Sequence, residues 1–283
     1  MSTKRKLIWD YFIQDLASSL KLWGFISFLL SLTSAGIYTC LGWEMPSVLL
    51  TLGVSILGLA LLIFLWRLGS FVLKEFVQKR ELRGMIKKPL PFDDYNFDKY
   101  SYIPIFGVIG IGDVGKTSLI EEILELDRTK DETRGKYVYI QDFLIDGEIK
   151  YIAFLDGTGQ RNSIQMEIVR KVQHLIILID HNLSATDIRF NPDRKDEHSF
   201  FLENVRDEIQ NGKINIDKLF LLFNKEDLWK QNPLEVKEEI NKYFKEEISK
   251  FRHTFPELKA QIFNTEENHY RKKFLEDIKR ILS

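Results

Sequence analysis

One stretch limits what this chain can fold into more than any other. It is "GIGDVGKTS" at residues 110 to 118, preceded by the apolar run "YIPIFGVI" and followed by "LIEEILEL". Gly110, Gly115, Lys116 and Thr117 fit the spacing G-x-x-x-x-G-K-[ST], which works only between a strand and a helix and so calls for an α/β fold. The glycines let backbone N–H groups, those of Asp113, Val114 and Ser118 among them, turn toward phosphate oxygens. Lys116 then reaches the β and γ phosphates, and the Thr117 hydroxyl is a ligand for Mg²⁺.

The base is specified further on. "FLLFNKEDLW" places Asn224, Lys225 and Asp227 directly after an apolar strand, in the spacing N-K-x-D. A carboxylate at Asp227 accepts two hydrogen bonds from the N1 and N2 donors of guanine, a pair that adenine lacks. Between the two motifs lies "YIAFLDGTGQR". There Asp156 ends a strand and is placed to hold Mg²⁺ through water, the Gly159 N–H to bind the γ phosphate, and Gln160 to orient an attacking water.

With "GIGDVGKT", "DGTGQ" and "NKED" in that order, residues 102 to 283 resemble the Ras-like small GTPases of Rab and Arf type. The resemblance implies GTP and GDP as ligands, Mg²⁺ as cofactor, and Gln160 and Lys116 as catalytic residues. It also implies a switch threonine ahead of the D-G hairpin in "ETRGKYVYIQDFLIDGEIKYIAFLD", a place occupied by Thr133, with Thr129 as the alternative. The family's final base-contacting box corresponds at best to Asn264 and Thr265 in "FNTEE". The cis arginine of heterotrimeric G protein α subunits is replaced by Lys130, with Arg128 nearby, so slow turnover accelerated by an arginine-supplying partner is expected. The family's C-terminal lipidated cysteine has no counterpart in "KRILS".

The anchor lies at the other end. Residues 22 to 43 and 48 to 66 carry no charge, and each run is about the 20 residues that a helix needs to cross a bilayer. Trp23, Trp43 and Trp66 stand at the run ends, where the headgroup zone favours them. The basic residues before residue 22 and after residue 66 place both flanks, and hence both termini, in the cytoplasm. Ser27, Ser31 and Ala35 recur every four residues, a spacing that packs the two helices against each other or against a second copy of the chain.

The expected division is a cytoplasmic segment at 1–21, membrane helices at 22–43 and 48–66 joined by a turn at 44–47, a basic helical extension and linker at 67–99, and a GTPase domain at 100–283. The domain's fold is expected to be a mixed, mostly parallel six-stranded sheet flanked by helices. Strands are expected at 102–109, 137–145, 149–155, 174–180, 217–223 and 260–264, with helices at 116–126, 161–172, 197–211, 233–252 and 267–282. Residues 182 to 196 read as an exposed insertion.

The net charge of −1 argues against nucleic acid as a partner. Cys40 is the only cysteine, which excludes an intrachain disulfide and a thiolate zinc site. Three roles fit these features. The first is a membrane-anchored switch that recruits an effector and answers to an activating protein. The second is a constitutively loaded receptor subunit, similar to the β subunit of the signal recognition particle receptor. The third is a membrane-remodelling or transport GTPase, a role that usually calls for long helical assembly arms or for more than two membrane spans.

Overall fold

The computed structural model describes residues 45–126, 135–157, 161–183, 186–255, 258–262 and 268–282. The chain divides after Glu81. Helix α1 (Met45–Met85) contains the second charge-free run. The first run, 22–43, lies outside the described residues, as do the side chains of 45–57. Among the described residues no helix is long and apolar enough to cross a membrane.

The unit that begins at Leu82 is a seven-stranded sheet of β1 (Leu90–Pro91), β2 (Ile105–Ile109), β3 (Lys136–Ile145), β4 (Glu148–Gly157), β5 (His174–Ile179), β6 (Lys218–Phe223) and β7 (Lys259–Ile262). Their order is β1-β3-β4-β2-β5-β6-β7. Strand β3 runs antiparallel to both neighbours, and the pairings β4-β2-β5-β6-β7 are parallel. Asp146 and Gly147, both at positive φ, make the tight turn from β3 to β4 that the D-G pair predicts.

The strands "HLIILI" and "KLFLLF" are continuous apolar runs because both of their faces are covered. On one face Leu175, Ile177 and Ile179 of β5 pack with α3 (Asn162–Lys171), α4 (Pro192–Asn211) and α6 (Leu234–Thr254). On the other, Ile176 and Leu178 pack with α2 (Lys116–Leu124) and α7 (Asn268–Leu282). Strand β2 approaches α3 closely through Gly107, where a Cβ would stand 2.8 Å from Ile168.

Two segments differ from expectation. The sheet has seven strands rather than six, because part of the stretch read as a linker belongs to it. Leu90 and Pro91 pair with Val138 and Tyr137, and Phe92, Tyr95, Tyr100 and Ile103 are buried beside them. Proline is tolerated on an edge strand, where its missing N–H faces away from the ladder. The aromatic rings bury area that an open linker would leave in water. Tyr95 meets Phe97 edge-on at 4.9 Å and stacks on Tyr100 at 5.5 Å.

The second difference is α4, which starts at Pro192 rather than near 197. Asn191 accepts the Arg194 N–H at 3.2 Å and Pro192 holds the first helical position, so "NPDRKD" is a helix start and only the residues before it are irregular. A short helix, α5 (Glu226–Trp229), also follows β6.

Candidate functional site

The motif residues meet at the C-terminal ends of β2, β4, β5 and β6, the edge where open α/β sheets form ligand crevices. The loop from Gly110 to Gly115 joins β2 to the first turn of α2. Gly110 has φ 151°, and a Cβ there would lie 2.6 Å from the Leu178 carbonyl oxygen, so any larger residue displaces backbone. Gly115 has φ 90° and opens α2 in a left-handed conformation that suits glycine. Asp113, at φ 60°, turns the loop between them.

Lys116 is buried, and its Nζ donates to the Ile111 carbonyl at 3.0 Å across the loop. Burial pushes this ammonium below the ordinary lysine range, while the Asp156 carboxylate opposes the shift. Thr117 Oγ1 donates to Asp156 Oδ2 at 3.2 Å, which puts a hydroxyl and a carboxylate side by side. Both are hard oxygen donors of the kind Mg²⁺ takes, and the pair fits that ion.

Strand β6 delivers the base motif beside this loop. Asn224 is buried, its N–H donates to the Ile179 carbonyl at 2.8 Å, and its Nδ2 donates to the Val114 carbonyl at 3.0 Å. Lys225 has φ 61°, and its ammonium lies 2.6 Å from Asp180 Oδ2 and 2.8 Å from the Asn182 carbonyl. Asp227 is exposed on the first turn of α5. Its neighbour Glu226 is buried, paired with Lys230 at 2.6 Å and hydrogen-bonded by the Tyr270 hydroxyl of α7. Ser118 is half-buried in the first turn of α2. Thr129, Thr133, Gly159, Gln160, Asn264 and Thr265 lie outside the described residues.

Several polar residues at the site have no place in the motifs. Gln165 of α3 accepts the Gly110 N–H at 3.1 Å and donates to the Gly157 carbonyl at 3.4 Å, bridging the starts of two motifs. Its only signal in the sequence is an amide on the apolar stripe of an amphipathic helix.

Asp180, at the end of β5, is fully buried with Arg194 and His198. His198 Nε2 lies 2.8 Å from Asp180 Oδ1 and 3.1 Å from the Asp180 backbone nitrogen. Nearby, Asn182 Nδ2 donates to the Arg189 carbonyl at 2.6 Å, and Asn232 Nδ2 donates to the Ile188 carbonyl. Within the stretch that reads as an exposed insertion, Asn182, Ile188 and Arg189 are therefore hydrogen-bonded, and the Asn182 carbonyl accepts from Lys225.

Burial holds the His198 imidazole below the ordinary histidine range, with the Asp180 carboxylate opposing it. The unfolded chain takes up a proton near pH 6.5 that the folded chain resists, so the unfolded state binds more protons and stability falls as pH drops below about 6.5. Wild-type melting temperature is expected to decline between about pH 7 and pH 5.5. A His198→Gln variant should decline less, with the remainder carried in part by His181, which burial lowers in the same direction. Parallel slopes in a pair of thermal melts would contradict this assignment.

No protein-family model and no curated protein matches the chain. Among solved structures, that of Methanosarcina barkeri Roco2 RocCORdC bound to GDP matches at 17% identity with a TM-score of 0.43, over 69% of this chain. The match spans 50% of that structure's chain.

Proposed function

We propose that this protein is a membrane-anchored GTPase that binds and slowly hydrolyses GTP, acting as a switch that recruits a cytoplasmic partner. The observation that carries the reading is the bond from Asn224 Nδ2 to the Val114 carbonyl, which fastens the base motif to a phosphate loop 110 residues earlier. The bond supports reading the Gly110–Thr117 loop and Asp227 as the phosphate and base ends of one guanine nucleotide site. The adjacent Thr117 and Asp156 supply the oxygen pair for a divalent ion.

In this reading Lys116, whose ammonium has three donors, keeps the Ile111 carbonyl and also donates to the β and γ phosphates, where exclusion of water strengthens the attraction. Mg²⁺, when bound, neutralises charge that develops on the phosphate oxygens. Gln160 orients the attacking water, and Thr133 and Gly159 each take a γ phosphate oxygen, ordering their loops only in the GTP state. Asn264 and Thr265 are assigned to the final base-contacting box.

The membrane reading draws support from α1, where Leu61, Leu62, Leu65 and Trp66 are exposed and Arg67, Lys74, Lys79 and Arg80 follow. Both runs within 22–66 are assigned to the bilayer, with the termini and the GTPase unit on the cytoplasmic side. Pairing of two copies through Ser27, Ser31 and Ala35 is part of the same reading.

A Gln160→Leu variant of the full chain in detergent is expected to keep GTP binding and lose turnover by about tenfold or more. Single-turnover hydrolysis checks this. Equal rates in wild type and variant, both near zero even with cytosolic extract, would favour a constitutively loaded receptor subunit.

A further inference from the structure

The phosphate loop is gripped by a cation that belongs to neither motif. Arg194 lies in the first turn of α4, the end at which a helix dipole disfavours positive charge, and its side chain is only 1% exposed. Burial and dipole both oppose a guanidinium at this position, so its partners must compensate.

Its Nε donates to Asp180 Oδ1 at 2.8 Å, Nη2 reaches Asp180 Oδ2 at 3.5 Å, and Nη1 reaches Glu197 Oε2 at 3.3 Å. The same Nη2 donates to the carbonyl of Gly112, inside the phosphate loop. On its other oxygen Asp180 holds Lys225 of the base motif at 2.6 Å. One buried carboxylate thus connects the phosphate-binding and base-binding loops, with Arg194 as the arm that reaches the former.

The consequence for the ligand follows from peptide planarity. In a trans peptide the carbonyl and the next N–H point in opposite directions, so an arginine holding the Gly112 carbonyl turns the Asp113 N–H the other way. A donor engaged on the carbonyl also polarises that N–H and strengthens it as a donor to an anion. The neighbouring carbonyls are held in similar fashion, Ile111 by Lys116 at 3.0 Å and Val114 by Asn224 at 3.0 Å. Of these three holders only Arg194 comes from outside the recognised motifs.

We propose that Arg194, braced by Asp180, is a positioning residue for nucleotide retention: it fixes the Gly112–Asp113 peptide so that its N–H faces the nucleotide phosphates. The proposal rests on the guanine nucleotide reading above. It gives the first turn of α4 a task, which is to carry this arginine to the phosphate loop.

The test uses the full chain in detergent, loaded with a fluorescent GDP analogue and chased with excess GDP, with a thermal melt of every variant. Arg194→Lys keeps a charge beside Asp180 but lacks the fork that holds carboxylate and carbonyl together. Arg194→Met removes the grip on the Gly112 carbonyl and leaves Asp180 paired with Lys225, so the base motif keeps its counterion. Both are expected to release the analogue about tenfold faster or more while each still shows a cooperative thermal melt.

A purely structural role would leave wild-type release in a folded Arg194→Met variant, and that result would overturn the proposal. So would wild-type release in Arg194→Lys. A wild-type chain that takes up no GDP would instead overturn the nucleotide reading, before any variant is compared.

Discussion

An Asp227→Asn variant is expected to lose guanine nucleotides by about 10⁴-fold and to take up xanthine nucleotides in their place. The carboxylate of Asp227 is an acceptor only, suited to the two adjacent donors on the guanine edge. An amide keeps one acceptor and replaces the other with an NH₂ donor, which would meet the guanine exocyclic amine donor to donor. Xanthine carries a carbonyl at that carbon, and the amide satisfies it. Asp227 is exposed in the first turn of α5, so the substitution disturbs no packing. Competition of GDP against xanthosine diphosphate measures the exchange. An unchanged preference would mean that Asp227 does not face the base.

The second large effect falls on stability. Asp180 is fully buried and faces Arg194, Lys225 and His198 at once. Burial alone would raise its carboxyl pKa. The His198 hydrogen bond, Lys225 and Arg194 outweigh burial and hold it well below the usual carboxylate range. An Asp180→Ala variant leaves a buried guanidinium without its counterion, a change that costs about 3–5 kcal/mol. For a unit of this size that lowers the melting temperature by roughly 6–20 °C.

The sign of the accompanying pH effect is fixed by the same shift. A carboxyl whose folded pKa is depressed stabilises the fold above its unfolded value of about 3.9, and that contribution is lost as pH falls below it. Wild type should therefore lose more stability than Asp180→Ala as pH is lowered through about 4. Equal losses in acid denaturation would contradict the assignment.

The parts of the fold that were legible from sequence are those in which one pattern settles one element. "HLIILI" and "KLFLLF" leave no reading but doubly covered strands, and the D-G pair fixes the hairpin after Ile145. Strand β1 was hidden because two residues, one of them proline, carry no periodicity, and its pairing with β3 depends on a partner about 47 residues away. The start of α4 was hidden because its first turns are polar, and the signal that did exist, asparagine before proline, lies in capping rather than in hydropathy.

At the site, loop geometry follows directly from Gly110, Gly115 and Lys116, because their spacing encodes backbone conformation. Asp180 left a trace of the same kind as Asp156, a carboxylate closing an apolar run in "HLIILID" as in "YIAFLD". Arg194 left none. Its contact with Gly112 spans 82 residues and exists only because α4 packs behind the phosphate loop.

The central claim, that the Gly110–Thr117 loop and Asp227 bind one guanine nucleotide, is tested most directly by denaturing the purified full chain and identifying by chromatography the nucleotide it releases. The account predicts GDP or GTP in about a one-to-one ratio with protein, sharply reduced in Lys116→Ala. Release of an adenine nucleotide, or failure of the wild-type chain to retain any guanine nucleotide when it is supplied with Mg²⁺, would contradict it.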